Sequence, residues 1–227
     1  MNLKREIYDK LKSDFCFIEK QFQSKKNQVY LINFLDSEKQ NRKCVLKEYR
    51  SLSGFEKELT ILEGLKNLYI RVPKIFNRGC NYILMEYIDG CTLTEFFEKM
   101  EKDTLPPEEC YVVADELCRW LADFYKGVKV ITDKQLIMKD VNLRNFIVSG
   151  SYIYGIDFED VGEGSCEEDV GKICAFLVTY YPEYTEWKLK LSKYFRDNAI
   201  KILKLNQELV MHEFFNELKA IEKRRKS

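Results

Sequence analysis

Four residues separate Asp140 from Asn145 in the run Met138-Lys139-Asp140-Val141-Asn142-Leu143-Arg144-Asn145, and the apolar stretch Phe146-Ile147-Val148 follows at once. A further carboxylate, Asp157, stands in Gly155-Ile156-Asp157-Phe158. The intervening Ser149-Gly150-Ser151 is a turn signal, so Phe146 to Ile156 reads as a hairpin short enough to bring Asn145 and Asp157 to one point. A carboxylate and an amide carbonyl are hard oxygen donors of the kind Mg²⁺ prefers. Asp140 could accept or orient the proton of an attacking hydroxyl. Lys47, at the end of Cys44-Val45-Leu46-Lys47, could hold phosphate oxygens if a carboxylate fixed its long side chain. Such a set suits phosphoryl transfer, in which metal ions offset charge building on the transferred group.

These residues need elements to hold them. Gln28 to Leu35 and Cys44 to Tyr49 read as strands joined by the polar turn Asp36 to Arg42. Ser53 and Glu56 have the spacing of a capping box, and Phe55, Leu59, Leu62 and Leu65 recur at helical period behind them. Val72-Pro73-Lys74-Ile75 breaks that period, and Tyr82 to Ile88 is a further strand closed by Asp89-Gly90. The expected order up to there is β-β-α-β-β. Helical period sets in from Leu93. Thr104-Leu105-Pro106-Pro107 opens a long helix carrying Val113, Leu117, Trp120, Leu121 and Phe124. Ser165 and Glu168 form a second capping-box pattern, and Leu189 to Lys223 reads as two helices before a solvated basic tail, Glu222 to Ser227. The fold class is therefore α+β. A small β-rich lobe (1–88) precedes a mostly helical lobe (89–227).

Composition excludes several classes. The 37 basic residues balance 37 acidic ones, which argues against a nucleic-acid binder. Met1 to Lys12 is polar, with no signal-peptide-like apolar stretch, and no run of about 18 apolar residues exists to span a membrane. The eight cysteines lie scattered with no CxxC pair, and His212 is the only histidine, so reduced thiols in a cytoplasmic protein are expected rather than a zinc site. His212 itself reads as a packing or surface residue.

Taken together, the fragments resemble the aminoglycoside phosphotransferase and choline kinase family of the protein-kinase-like fold, over about Phe15 to Tyr181. Asp140 and Asn145 match the catalytic-loop pattern H-R-D-x-x-x-x-N, with Met138 where the family usually carries His, and Asp157 stands where D-F-G would. Asn27-Gln28-Val29-Tyr30 is similar to the exit of the phosphate loop, Val45-Leu46-Lys47 to the lysine strand, and Glu58 to Leu65 to helix C. Leu84 to Gly90 resembles the hinge. The resemblance implies a bilobal kinase that uses ATP and Mg²⁺. Asp140 would be catalytic, Lys47, Glu58, Glu86, Ile88 and Asn27 would serve the nucleotide, and Asn145 and Asp157 would hold the metal. Glu58 would pair Lys47, the backbones of Glu86 and Ile88 would face adenine, and Asp169 in Asp169-Val170-Gly171 would brace the catalytic loop. The phosphate loop contains no glycine here; Ser24, Lys25, Lys26 and Asn27 would have to serve.

Only eleven residues separate Asp157 from Asp169 and no A-P-E motif follows, leaving no room for a peptide-docking activation segment. The expected acceptor is a small molecule bearing a hydroxyl. Residues 145 to 171 carry Asp157, Glu159, Asp160, Glu163, Glu167, Glu168 and Asp169 and no Lys or Arg, which suggests a cationic acceptor, an aminoglycoside or amino alcohol. Tyr180, Tyr181 and Trp187 are candidates for its pocket. No nucleic acid, membrane or obligate protein partner is expected. A kinase-like scaffold without turnover, a sugar kinase and a protein kinase are the rival readings.

Overall fold

The computed structural model describes residues 16–36 and 38–226; the reading of Met1 to Lys12 lies outside them. The chain divides into two compact units. One holds the described residues up to Glu63 with Pro73–Ile88, the other Gly64–Val72 with residues from Asp89 onward.

The first unit is an antiparallel sheet of β1 (Cys16–Phe22), β2 (Gln28–Leu35), β3 (Asn41–Glu48), β4 (Ile75–Arg78) and β5 (Tyr82–Glu86), in the order β1-β2-β3-β5-β4. Strand side chains alternate between faces. Ile32, Cys44, Leu46, Tyr82 and Leu84 form one buried cluster with Cys16, which leaves Lys47 on the opposite face. There α1 (Leu52–Asn67) buries Phe55, Leu59 and Leu62.

Two expectations are corrected here. A fifth strand, β1, precedes the expected set and pairs with β2 along Cys16↔Phe34 to Phe22↔Val29, so the order is β-β-β-α-β-β. The helix also starts before the supposed Ser53–Glu56 box. Ser51 Oγ accepts the Gly54 N–H (3.3 Å) and lies 3.0 Å from Ser53 Oγ, so Ser51 satisfies the first turn.

In the second unit, β6 (Cys91–Thr92) pairs with β8 (Phe146–Ser149), which forms a hairpin with β9 (Tyr152–Gly155) in the register Phe146↔Gly155 to Ser149↔Tyr152. Gly150 takes a left-handed φ of 58° in its two-residue turn, a conformation glycine adopts without steric cost. Helices α2 (Leu93–Lys102), α3 (Tyr111–Thr132), α4 (Cys166–Thr179), α5 (Glu186–Leu203) and α6 (Gln207–Lys226) make the rest, and a small ladder joins β7 (Leu136–Ile137) to β10 (Gly162–Glu163). The prolines open a 3₁₀ turn, Pro107–Cys110, rather than α3 itself.

The one complete capping box in these helices was not anticipated. At α2, Thr92 Oγ1 accepts the Glu95 N–H (3.2 Å) and the Glu95 carboxylate accepts the Thr92 N–H (2.8 Å). At α4, Ser165 is the N-cap but makes no side-chain cap bond, and Glu168 turns to Lys139 and Lys172 instead. The expected tail is the last turn of α6, where Arg225 pairs with Glu183 at 2.6 Å and donates to Thr179 O at the end of α4. His212 is exposed on the same helix.

Candidate active-site residues

In the first unit, Lys47 Nζ lies 2.6 Å from Glu58 Oε2 and 5.0 Å from the Tyr49 ring centre, with both charged side chains nearly inaccessible. β3 presents Lys47 because Lys47 sits between Val29 and Ile83 in the ladder, on the helix side of the sheet. Glu58 falls on the α1 stripe between Phe55 and Leu62, a position helical period reserves for apolar residues. Of the other acids on that helix, Glu56 is exposed and Glu63 pairs with Arg78 at 3.7 Å.

Asn27 is buried at the end of the short β1–β2 connection. Its N–H donates to Ser24 Oγ (3.2 Å), and its side-chain oxygen accepts the Arg50 N–H (3.3 Å). The Glu86 N–H donates to Lys74 O (2.8 Å) while its carboxylate accepts the Lys74 N–H (3.0 Å). Contact of Glu86 with a nucleotide base would therefore use its carbonyl. Ile88, just past β5, is half-buried.

The second unit holds the other set. The β8–β9 hairpin places Asn145 opposite Ile156, whose N–H donates to Asn145 O at 2.9 Å, so Asn145 and Asp157 emerge side by side from its open end. The hairpin is seated by aromatic packing. Trp120 stacks on Phe124 and meets Phe146 edge-on, Phe124 stacks on Phe158, and Gly155 lies so close to Trp120 that an added Cβ would come within 2.1 Å of the indole.

Asn145 Nδ2 donates to Asp140 O (2.9 Å), which turns its Oδ1 the other way. That amide oxygen and the Asp157 carboxylate are a donor set fit for Mg²⁺. Asp157 sits at φ 65° and Lys139, just before exposed Asp140, at φ 66°. Non-glycine residues in this region store about 1–3 kcal/mol each and persist only where the surroundings hold them.

The holder of Lys139 is Asp169. Its fully buried carboxylate accepts the N–H groups of Met138 (2.8 Å) and Lys139 (3.1 Å) and the Tyr125 hydroxyl (3.2 Å). Burial pushes Asp169 up to about 6, against the downward pull of these hydrogen bonds and of Lys172. The Tyr125 hydroxyl, buried beside it, is driven well above its ordinary value. Lys172 Nζ adds a bond to Lys139 O (3.2 Å).

Sequence reasoning missed a second brace. Asn142 Oδ1 accepts the Arg144 N–H (3.1 Å), Arg144 Nε–H (3.2 Å) and the Tyr180 hydroxyl (2.9 Å), capping the 3₁₀ turn Leu143–Asn145. Tyr180 and Trp187 line a cavity of about 10 Å³ with Leu143, room for a single water and too small for an acceptor. Trp187 Nε1 donates to Leu105 O, and Tyr181 is exposed.

No family model and no curated protein matches the chain in sequence. Many solved structures share its architecture, two of them being as follows. WaaP in complex with acyl carrier protein is 11% identical, with a TM-score of 0.58 over 90% of this chain and 86% of that one. Ethanolamine kinase from Plasmodium vivax is 17% identical, with a TM-score of 0.57 over 92% of this chain and 73% of that one. At such identities the likeness is one of fold, and the chain has the protein-kinase-like α+β fold.

Proposed function

We propose that the chain is a kinase that transfers the γ-phosphoryl group of Mg·ATP to a hydroxyl of a small molecule. The observation that carries this is the coexistence of the buried Lys47–Glu58 pair with the Asp140, Asn145 and Asp157 set on a braced loop and hairpin end. In the transfer, the acceptor oxygen bonds to the γ-phosphorus, the bond from that phosphorus to the β-phosphate oxygen breaks, ADP leaves, and Asp140 takes the hydroxyl proton. Lys47, held by Glu58, serves the α- and β-phosphates. Asn145 and Asp157 would hold the magnesium, which supplies charge neutralisation of the phosphates. Ethanolamine is the acceptor named for one structural neighbour, and it supports a small alcohol here only by analogy.

The second reading, a kinase-like scaffold without turnover, draws on the β1–β2 connection. Ser24, Lys25 and Lys26 lie exposed there, and no glycine lets the backbone close over phosphates.

Thermal shift with ATP, with and without Mg²⁺, separates the two. At about 100 times its Kd a ligand adds roughly 2.7 kcal/mol. A Mg-dependent rise in Tm that Asp157→Ala abolishes is expected for the kinase; no rise at millimolar ATP would leave the scaffold.

A further inference from the structure

The acidic run from 145 to 171 suggested a cationic acceptor, but at least four of its seven carboxylates are engaged by the protein itself. Glu163 pairs with Lys134 (3.0 Å), and Glu168 with Lys139 (3.2 Å) and Lys172 (2.9 Å). Glu167 accepts the Asn206 N–H (3.2 Å), and Asp169 is sealed under the loop. Two of these charges, on Glu163 and Glu168, are thus met by lysines.

The loop also carries a cation that meets no carboxylate. Arg144 is exposed on the 3₁₀ turn between Asp140 and Asn145. Arg42, Arg71, Arg119, Arg196 and Arg225 each meet a carboxylate. Arg144 meets none among the described residues. Its one side-chain bond is from Nε to Asn142 Oδ1, the oxygen that Tyr180 also holds. An exposed arginine ordinarily spreads over many rotamers. Pinning Nε restricts the guanidinium and leaves both terminal nitrogens to donate, the arrangement that suits phosphate or carboxylate oxygens.

We propose, resting on the kinase reading above, that Arg144 binds an anionic group of the acceptor, so that the preferred substrate carries a phosphate or carboxylate beside the hydroxyl to be phosphorylated. Asn142 and Tyr180 act as positioning residues for that contact.

Two measurements test it. The first needs no turnover: the Nε–Hε NMR signals of the arginines are followed as inorganic phosphate is added, with Arg144→Gln assigning the resonance. A saturable shift of the Arg144 signal at millimolar phosphate is expected; a signal that does not move overturns the proposal whether or not the protein is a kinase. The second compares transfer of labelled γ-phosphate to ribose, ribose 5-phosphate and glucosamine. A higher kcat/KM for ribose 5-phosphate than for ribose is expected, with that preference falling about ten- to a hundredfold in Arg144→Gln and partly restored in Arg144→Lys. Equal losses on both acceptors would mean that Arg144 acts on the transferred group, and a preference for glucosamine would restore the cationic acceptor; either result overturns the proposal. If Mg·ATP neither stabilises the protein nor donates label to any acceptor, the kinase reading fails on its own, and the NMR arm still decides the anion contact.

Discussion

At the scale of single residues, Lys47 and Glu58 carry the greatest energetic risk. Each is a charge withdrawn from water, tolerable because the other is 2.6 Å away. Lys47→Ala should cost about 3–5 kcal/mol in chemical denaturation, since it leaves Glu58 buried without this partner. The double variant Lys47→Met with Glu58→Leu should recover most of that loss and still give no Mg·ATP-dependent rise in Tm, which would separate packing from phosphate binding. Asp169 adds a pH dependence whose direction is fixed. Its pKa in the folded chain, about 6, lies above its ordinary 3.8, so the folded state holds the proton more tightly. That stabilisation is complete below about 3.8 and is lost as pH rises through about 6. Asp169→Asn places an amide donor against two backbone N–H groups and should cost about 1–3 kcal/mol at neutral pH. Urea melts should show the deficit growing as pH drops from 7 to 4.5; a deficit that shrinks in acid would contradict the assignment.

Among the elements, the β8–β9 hairpin matters most to the site. It is seated through the contact of Gly155 with Trp120, so Gly155→Ala should force the indole aside and cost about 1–3 kcal/mol, read as a lower Tm. This hairpin was legible in the sequence because two short apolar runs, Phe146-Ile147-Val148 and Tyr152-Ile153-Tyr154, flank a Ser-Gly-Ser turn. The strand β1 was not: most of its residues are exposed, so Cys16–Phe22 shows no alternation of apolar and polar positions. Caps were misread for a similar reason, since Ser51 and Ser53 are equally good candidates by type and only the backbone decides between them. Glu58 was legible through the resemblance to helix C, by its offset from Leu62 and Leu65. The Asn142–Tyr180 bond joins positions 38 residues apart and left no local trace. Lys134, which meets Glu163, lies outside the segment 145 to 171, as does Lys139, which meets Glu168, so the segment alone could not reveal either pair.

For the whole molecule, thiol chemistry gives a direct check. None of the eight cysteines is in a disulfide, and Cys80 is the exposed one. Burial pushes Cys44, Cys110 and Cys174 up to about 12, which suppresses the reactive thiolate. Native protein treated briefly with a thiol reagent at pH 7.5 should gain one label by mass spectrometry, at Cys80, and eight after unfolding; rapid native labelling of Cys44 or Cys174 would contradict this packing. The seat of α6 on α4 has another consequence. Gly171 lies so near α6 that an added Cβ would stand 2.7 Å from the Phe214 backbone nitrogen, and Asp169 is on the same stretch of α4. Because α6 is translated after α4, a ribosome stalled between them leaves α4 without its cover and the brace beneath Lys139 unsupported. A nascent chain halted there should be sensitive to protease around residues 138–145, and should acquire resistance only as α6 is made.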